Sequence, residues 1–320
     1  LLVCALLVIA GCNKSASSPN YLHPEDGGAE DISPSVSPDV DEELALEAGQ
    51  KRIIYHIGPV DLPANTKPEE MLARPLTMRF QTDEALWVTG FTPRVVDANG
   101  AGLPPTLLHH AIMSNMHEAN LLCSNASVGN PFFIATSMLT EINLPQGLGY
   151  PILPNDPLEA RVVLANPTEV SYADVFFELT LVARPMNDFA KVADVKPMLL
   201  ELAPCSHDPL EVEPGSLVER NATYEIPMSA RLILAHGALQ DYGSAISLTA
   251  GKEIMPFWRA EAELGENHHI IRLIDDPFED PAGIDLKAGD RITLGVIYDN
   301  VSEEWLTSAT AAAMVYMTPK

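Results

Sequence analysis

From Lys51 onward the chain reads as short runs of β-branched and aromatic residues cut by Pro, Gly, Asn and Asp. That punctuation leaves no room for long amphipathic helices and predicts an all-β fold. The runs expected to be strands are 52–57, 76–81, 86–95, 107–113, 160–165, 175–183, 217–226, 230–237, 244–249, 270–274, 291–298 and 311–317. A dozen or so short strands exceed what one open sheet comfortably holds, so two β-sandwiches are expected. The Pro- and Glu-rich stretch from Pro204 to Gly215 is the natural boundary between them, and no internal repeat of fixed period is evident.

Charge narrows the partners. Against 19 Lys and Arg stand 44 Asp and Glu, a formal net charge of −25. A surface of that sign repels phosphate backbones, which excludes nucleic acid, and it offers no polybasic patch to a membrane. The N-terminus suggests another route to the bilayer. Residues 1–12, LLVCALLVIAGC, form an apolar run far shorter than the ~18 residues of a membrane-spanning helix. Their ending, Ile9-Ala10-Gly11-Cys12, resembles a bacterial lipobox, which implies cleavage before Cys12, acylation of its thiol and, with Asn13 following, an outer-membrane address. A plain secretory signal is the alternative, and it too exports the protein to the cell envelope. Residues 13–50 are rich in Ser, Pro, Asp and Glu and read as a solvated tether that cannot bury enough surface to order itself.

Several stretches between residues 75 and 318 carry a resemblance: VTGFTPRVVDANGAGLPPTLLHHAIMSN, LPQGLGYPI, VVLANPTEVSYADVFFELTLV, PCSHDP with a downstream Pro-Gly, ARLILAHGALQDYGSAISL and LGVIYDN. Together they resemble the copper type II, ascorbate-dependent monooxygenases, and more closely the stress-up-regulated nodulin-like proteins and their bacterial relatives. That resemblance implies two tandem jelly rolls, residues 51–207 and 208–320, each carrying half of a dicopper site that hydroxylates carbon with O2. Its ligands transfer only in part. The vicinal pair His109 and His110 matches the first copper site. The third imidazole falls on Ala165, before Asn166-Pro167, and the His-x-His of the second site falls on Ala238-Leu239-Gln240, before Asp241-Tyr242-Gly243. The C-terminal methionine falls on Ala312, with Met314 two residues on and His236 as a displaced imidazole. An O2-activating copper centre needs three such donors and an open position.

Other groupings have plainer readings beside the chemical ones. His109, His110, Met113 and His117 offer imidazole and thioether donors suited to Cu(I). Strand alternation sends neighbours to opposite faces, so core packing of His and Met is the competing reading. His268-His269 reads as packing at a strand end. Cys123 and Cys205 are expected to pair, as two cysteines of an exported protein do, closing a loop worth up to ~4 kcal/mol in the loop-entropy picture. His207 in PCSHDP would be the nearest partner for a thiolate site instead. The acidic stretch Asp275–Asp285 lacks EF-hand spacing and reads as a stiff, solvated loop. Phosphate-loop, serine-hydrolase and zincin motifs have no counterpart in the sequence. The expectation is therefore a lipid-anchored, non-catalytic binding or structural module with an unknown protein or small-molecule ligand. The rival is a copper-binding or copper-dependent monooxygenase protein built on His109 and His110.

Overall fold

The structure, a computed structural model, describes residues 46, 49–66, 75–123, 129–138, 141–187, 191–202, 210–251, 255–265, 268, 270–274 and 276–320. Among these the only helical element is a single 3-10 turn at Pro105–Leu107, and everything else that is regular is strand. In the first part of the chain the strands are β1 (Lys51–Leu62), β2 (Leu76–Phe80), β3 (Leu86–Val96), β4 (Leu108–Asn115), β5 (Asn130–Ala135), β6 (Ile142–Asn143), β7 (Leu148–Ile152), β8 (Leu158–Leu164), β9 (Tyr172–Pro185) and β10 (Ala193–Asp194). Then follow β11 (Lys196–Glu201), β12 (Leu210–Val212), β13 (Ser216–Glu225), β14 (Ala230–Leu239), β15 (Gly243–Ala250), β16 (Trp258–Leu264), β17 (Ile270–Leu273), β18 (Phe278–Leu286), β19 (Arg291–Asn300), β20 (Leu306–Ala309) and β21 (Ala311–Pro319).

The first sandwich sets the sheet β1-β9-β3-β7, extended by β6 and β10, against the sheet β2-β8-β4-β5. The second sets β11-β21-β14-β18 against β13-β19-β15-β16, extended by β17, with β12 and β20 as a separate pair. Leaving out the short extra strands, both follow one recipe: first, eighth, third and sixth strand in one sheet, second, seventh, fourth and fifth in the other. This is the double-Greek-key order of a jelly roll, and it recurs although the two sequences share no repeat of fixed period.

Each sandwich has its own apolar core. Alternating inward residues of β3 and β9, among them Phe91, Val95, Phe177 and Leu179, meet Met113, Phe133 and Val162 from the opposing sheet, all buried. Phe91 stacks on Phe133 at 4.7 Å and Phe132 on Tyr150 at 4.8 Å. Such pairs contribute about 1 kcal/mol each beyond the area they bury. The second core gathers Tyr224, Leu232, Ile246, Trp258, Leu294 and Val315. The two are joined through the β14–β21 sheet, because Ile233, Leu234, Ala238, Met314 and Tyr316 pack into the first core. β5 is an edge strand, yet all six of its residues are buried. β11 and β21 lie against it, and the Tyr316 hydroxyl donates to the Phe132 carbonyl at 3.0 Å.

Two expectations need correction. The expected boundary after residue 207 falls later than the change of sheet: Lys196–Glu201 pairs with β21 and opens the second sandwich. Of the stretch Pro204–Gly215, residues 204–209 lie outside the described residues and the rest holds β12, while between β10 and β11 stands the single buried residue Val195. The acidic stretch expected to be a loop contains β18, paired with β14. Pro281 and Gly283 are tolerated there because β18 is an edge strand, where a missing N–H faces no partner, and its exposed carboxylates keep that edge from recruiting another strand.

Candidate functional site around the His109–His110 pair

After the 3-10 turn, Leu108 pairs with Leu164 and His110 with Val163, so His109 is an extra residue in the ladder. A bulge of this kind cancels the usual alternation and re-aims side chains, which is how two neighbouring histidines come to face each other. Their Nδ1 atoms lie 2.7 Å apart and their ring centroids 4.9 Å apart, tilted by 59°. At that separation one Nδ1 donates its proton and the other accepts it. Burial, and then the neighbouring His109, lower the His110 pKa to about 3. The His110 ring is therefore neutral across the ordinary pH range and keeps a nitrogen lone pair.

Gln240 approaches the pair from the second sandwich, its Nε2 3.4 Å from the His109 Nδ1. It is held there by the tight connection between β14 and β15. The Gly243 N–H donates to the Gln240 carbonyl at 2.9 Å, Tyr242 takes a left-handed φ of 68°, and the Asp241 carboxylate accepts the Ile270 N–H at 3.0 Å. The Tyr298 hydroxyl, whose pKa burial pushes far up, lies 3.4 Å from the Gln240 N–H and donates to the Thr310 carbonyl.

The remaining expected donors are dispersed. Met113 is fully buried in the first core, opposite Phe133 and Ala160. His117 lies beyond the far end of β4, with its side chain 74% exposed and its Nδ1 3.2 Å from the buried Asp156 carboxylate. Ala165, the position of the third imidazole, donates its N–H to the Leu107 carbonyl at 2.9 Å, so a methyl stands beside the turn that presents the pair. Ala312 pairs with Ala238, and Met314 with His236. His236 is buried, both its ring nitrogens lack a hydrogen-bond partner among the described residues, and burial lowers its pKa to about 3. Its ring sits 6.1 Å from that of Tyr316.

Among the described residues no three His, Cys, Asp or Glu side chains converge as a metal site. Two imidazoles and an amide do not make the three-donor centre that O2 activation by copper requires, so the residues present do not fit that centre. They offer at most a two-imidazole contact to a soft ion. Of the other candidates, His268 stacks flat on Tyr242 at 5.9 Å, while His269 lies outside the described residues. Cys12, Cys205 and His207 also lie outside them. Cys123 is disulfide-bonded, but no disulfide has both ends among the described residues.

An open cleft of about 320 Å³, which neither histidine lines, runs between Thr92–Val95 of β3 and the Gly102–Pro105 loop, with Leu108, Thr136 and Ser137 also lining it. Its walls are largely apolar, with the Arg94 guanidinium at the rim. Arg94 belongs to a row across three strands that sequence reasoning missed. The Glu178 carboxylate takes His56 Nε2 at 2.9 Å on one oxygen and Arg94 at 3.3 Å on the other. On the opposite sheet the buried Glu159 takes Arg79 at 3.1 Å and Arg161 at 2.7 Å. These partners lie on neighbouring strands or two residues apart, and only the strand register reveals them. No known protein family's sequence profile matches the chain, and no curated protein sequence matches it.

Proposed function

We propose that this chain is a non-catalytic binding or structural module of the cell envelope, exported and anchored through a lipid on Cys12. In this reading the two sandwiches form a tandem two-domain scaffold of the monooxygenase-like type, with Cys123 paired to Cys205. The observation that carries the reading is the contact between Gln240 and His109. Where the resemblance expects a second half-site, an amide from the second sandwich reaches the histidine pair of the first, and methyl groups stand at the positions of three further ligands, Ala165, Ala238 and Ala312. The apolar cleft that reaches Leu108 is within the size range of small-ligand sites. The ligand is a protein or small molecule, and the high negative charge disfavours nucleic acid.

A second reading rests on the 2.7 Å separation of the two Nδ1 atoms. The two imidazoles could hold a Cu(I) ion if the shared proton moved to the far nitrogen of its ring and the two Nδ1 atoms parted to admit the ion at the ~2 Å of a metal–imidazole bond, giving a copper-binding protein without turnover. Titration of Cu(I) and Cu(II) into the full chain, with His109→Ala/His110→Ala as control, separates the two. The module reading expects no copper retained beyond the control. Stoichiometric copper lost in the control would overturn it in favour of the second reading, and ascorbate-dependent O2 consumption by the copper-loaded chain would overturn both.

A further inference from the structure

Three large apolar side chains stand in solvent at one end of the second sandwich: Leu217 at 70% exposure, Val301 at 49% and Trp305 at 53%. Isolated exposed apolar residues are ordinary, but the backbone brings these three together. Leu217 lies opposite Asp299 and its neighbour Ser216 opposite Asn300, so the chain leaves β19 toward Val301 beside Leu217. The buried Asn300 then folds that exit back, its Nδ2 donating to the Val212 carbonyl at 3.0 Å and the Glu304 carbonyl at 2.8 Å. Val212 pairs with Leu306, which sets Trp305 beside Glu213. The indole is thus exposed on a turn tied down by a buried side chain, and little ordering entropy remains to be lost on binding.

The charge around it is mostly of one sign, with Arg220 further along β13 as the nearby cation in sequence. Residues 210–219 hold three Asp or Glu, residues 297–309 hold three more, and neither segment contains a Lys or Arg. Such a rim repels an anionic bilayer surface and a second copy of this chain, whose net charge is −25. It suits the opposite partner. We propose that this patch docks a cationic polypeptide segment carrying an apolar anchor residue, with the anchor between Leu217 and Trp305, and lysine or arginine against Glu303, Glu304 and the indole face. This goes beyond the binding-module reading by naming a partner class. It makes no use of His109 or His110, so the copper titration and the test below fail independently.

The test titrates the full chain into a short fluorescein-labelled peptide of Lys and Leu, followed by anisotropy, with a Lys/Gly peptide of equal charge for comparison. The expected result is tighter binding of the Lys/Leu peptide, weakened by salt and weakened roughly tenfold by Trp305→Ala, the loss typical of a central aromatic contact. A Glu303→Gln/Glu304→Gln variant, which keeps the indole, should weaken it as well. Equal affinity for both peptides, affinity unchanged by Trp305→Ala, or no binding would each overturn the proposal, as would preferential binding to phosphatidylglycerol vesicles.

Discussion

After its seventh main strand each sandwich turns on a buried asparagine. In the first, the Asn166 amide donates to the carbonyls of Leu62, Pro63 and Val170, and its oxygen accepts from the N–H and hydroxyl of Thr168. In the second, the Asn300 amide donates to the carbonyls of Val212 and Glu304, and its oxygen accepts from the N–H and hydroxyl of Ser302. The same two-residue spacing, Asn-x-Thr or Asn-x-Ser, serves the same place in both. Elsewhere the sandwiches diverge. The first buries much of two carboxylates, Glu159 between two arginines and Glu178 between Arg94 and His56, whereas in the second the Asp285 carboxylate meets Arg231 and Lys320 in open solvent. The comparison separates what the double Greek key needs, a buried amide that satisfies the carbonyls of a returning turn, from what each half can vary, its charges and exposed surface.

The largest effect should come from breaking what the two share. Asn166→Ala removes the side-chain donor of the Leu62 carbonyl and Asn300→Ala that of the Val212 carbonyl, while Pro63, Val170 and Glu304 still accept from the hydroxyls of Thr66, Thr168 and Ser302. At about 1–3 kcal/mol for a buried acceptor left unsatisfied, both should lower the guanidinium unfolding midpoint strongly and by similar amounts. Small shifts would show that water replaces the amide and that the shared turn is not a shared lock. A middle-sized effect concerns the joint between the sandwiches. His236 has its folded-state pKa lowered to about 3, below the ~6.5 of an unfolded histidine. Its neutral form therefore adds no pH penalty above about 6.5, and stability is lost as pH falls from there toward 3, by up to about 1.4 kcal/mol per pH unit. His236→Leu should flatten that decline and, having no unpaired ring nitrogens to bury, raise stability at neutral pH by about 1 kcal/mol. Chemical denaturation at stepped pH reads both, and an unchanged acid slope would remove His236 as its source. The smallest effect tests the divergence. Glu159→Gln should cost about 1 kcal/mol, while Asp285→Asn should leave the midpoint unchanged in the same assay; a larger loss at Asp285 would erase the distinction.

Much of the architecture was legible in the residues, because period-two patterning and turn chemistry are local. Each of the twelve expected runs lies within or overlaps a strand, with ends displaced by up to five residues, as where β1 runs on to Leu62 and where Leu107 closes the 3-10 turn instead of opening β4. What escaped notice was set by neighbours distant in sequence. β5, Asn-Pro-Phe-Phe-Ile-Ala, shows no alternation because it is covered on both faces, and β18 looks like a loop because an edge strand can carry acids, Pro and Gly. The site was half legible. The adjacent histidines were visible, but the bulge that turns them together depends on the register with β8, and the amide that meets them comes from 131 residues away. The two asparagine turns could have been found from the recurrence of Asn-x-Thr and Asn-x-Ser at strand exits.

The covering of β5 also has a clock in it. Its carbonyl at Phe132 is met by a hydroxyl 184 residues further along the chain. At about 5–20 residues per second of synthesis, that partner emerges roughly ten to forty seconds after the strand it shields. Until those last strands arrive, the apolar edge at β5 lacks the cover they give it, and an uncovered strand edge is where another extended segment can pair.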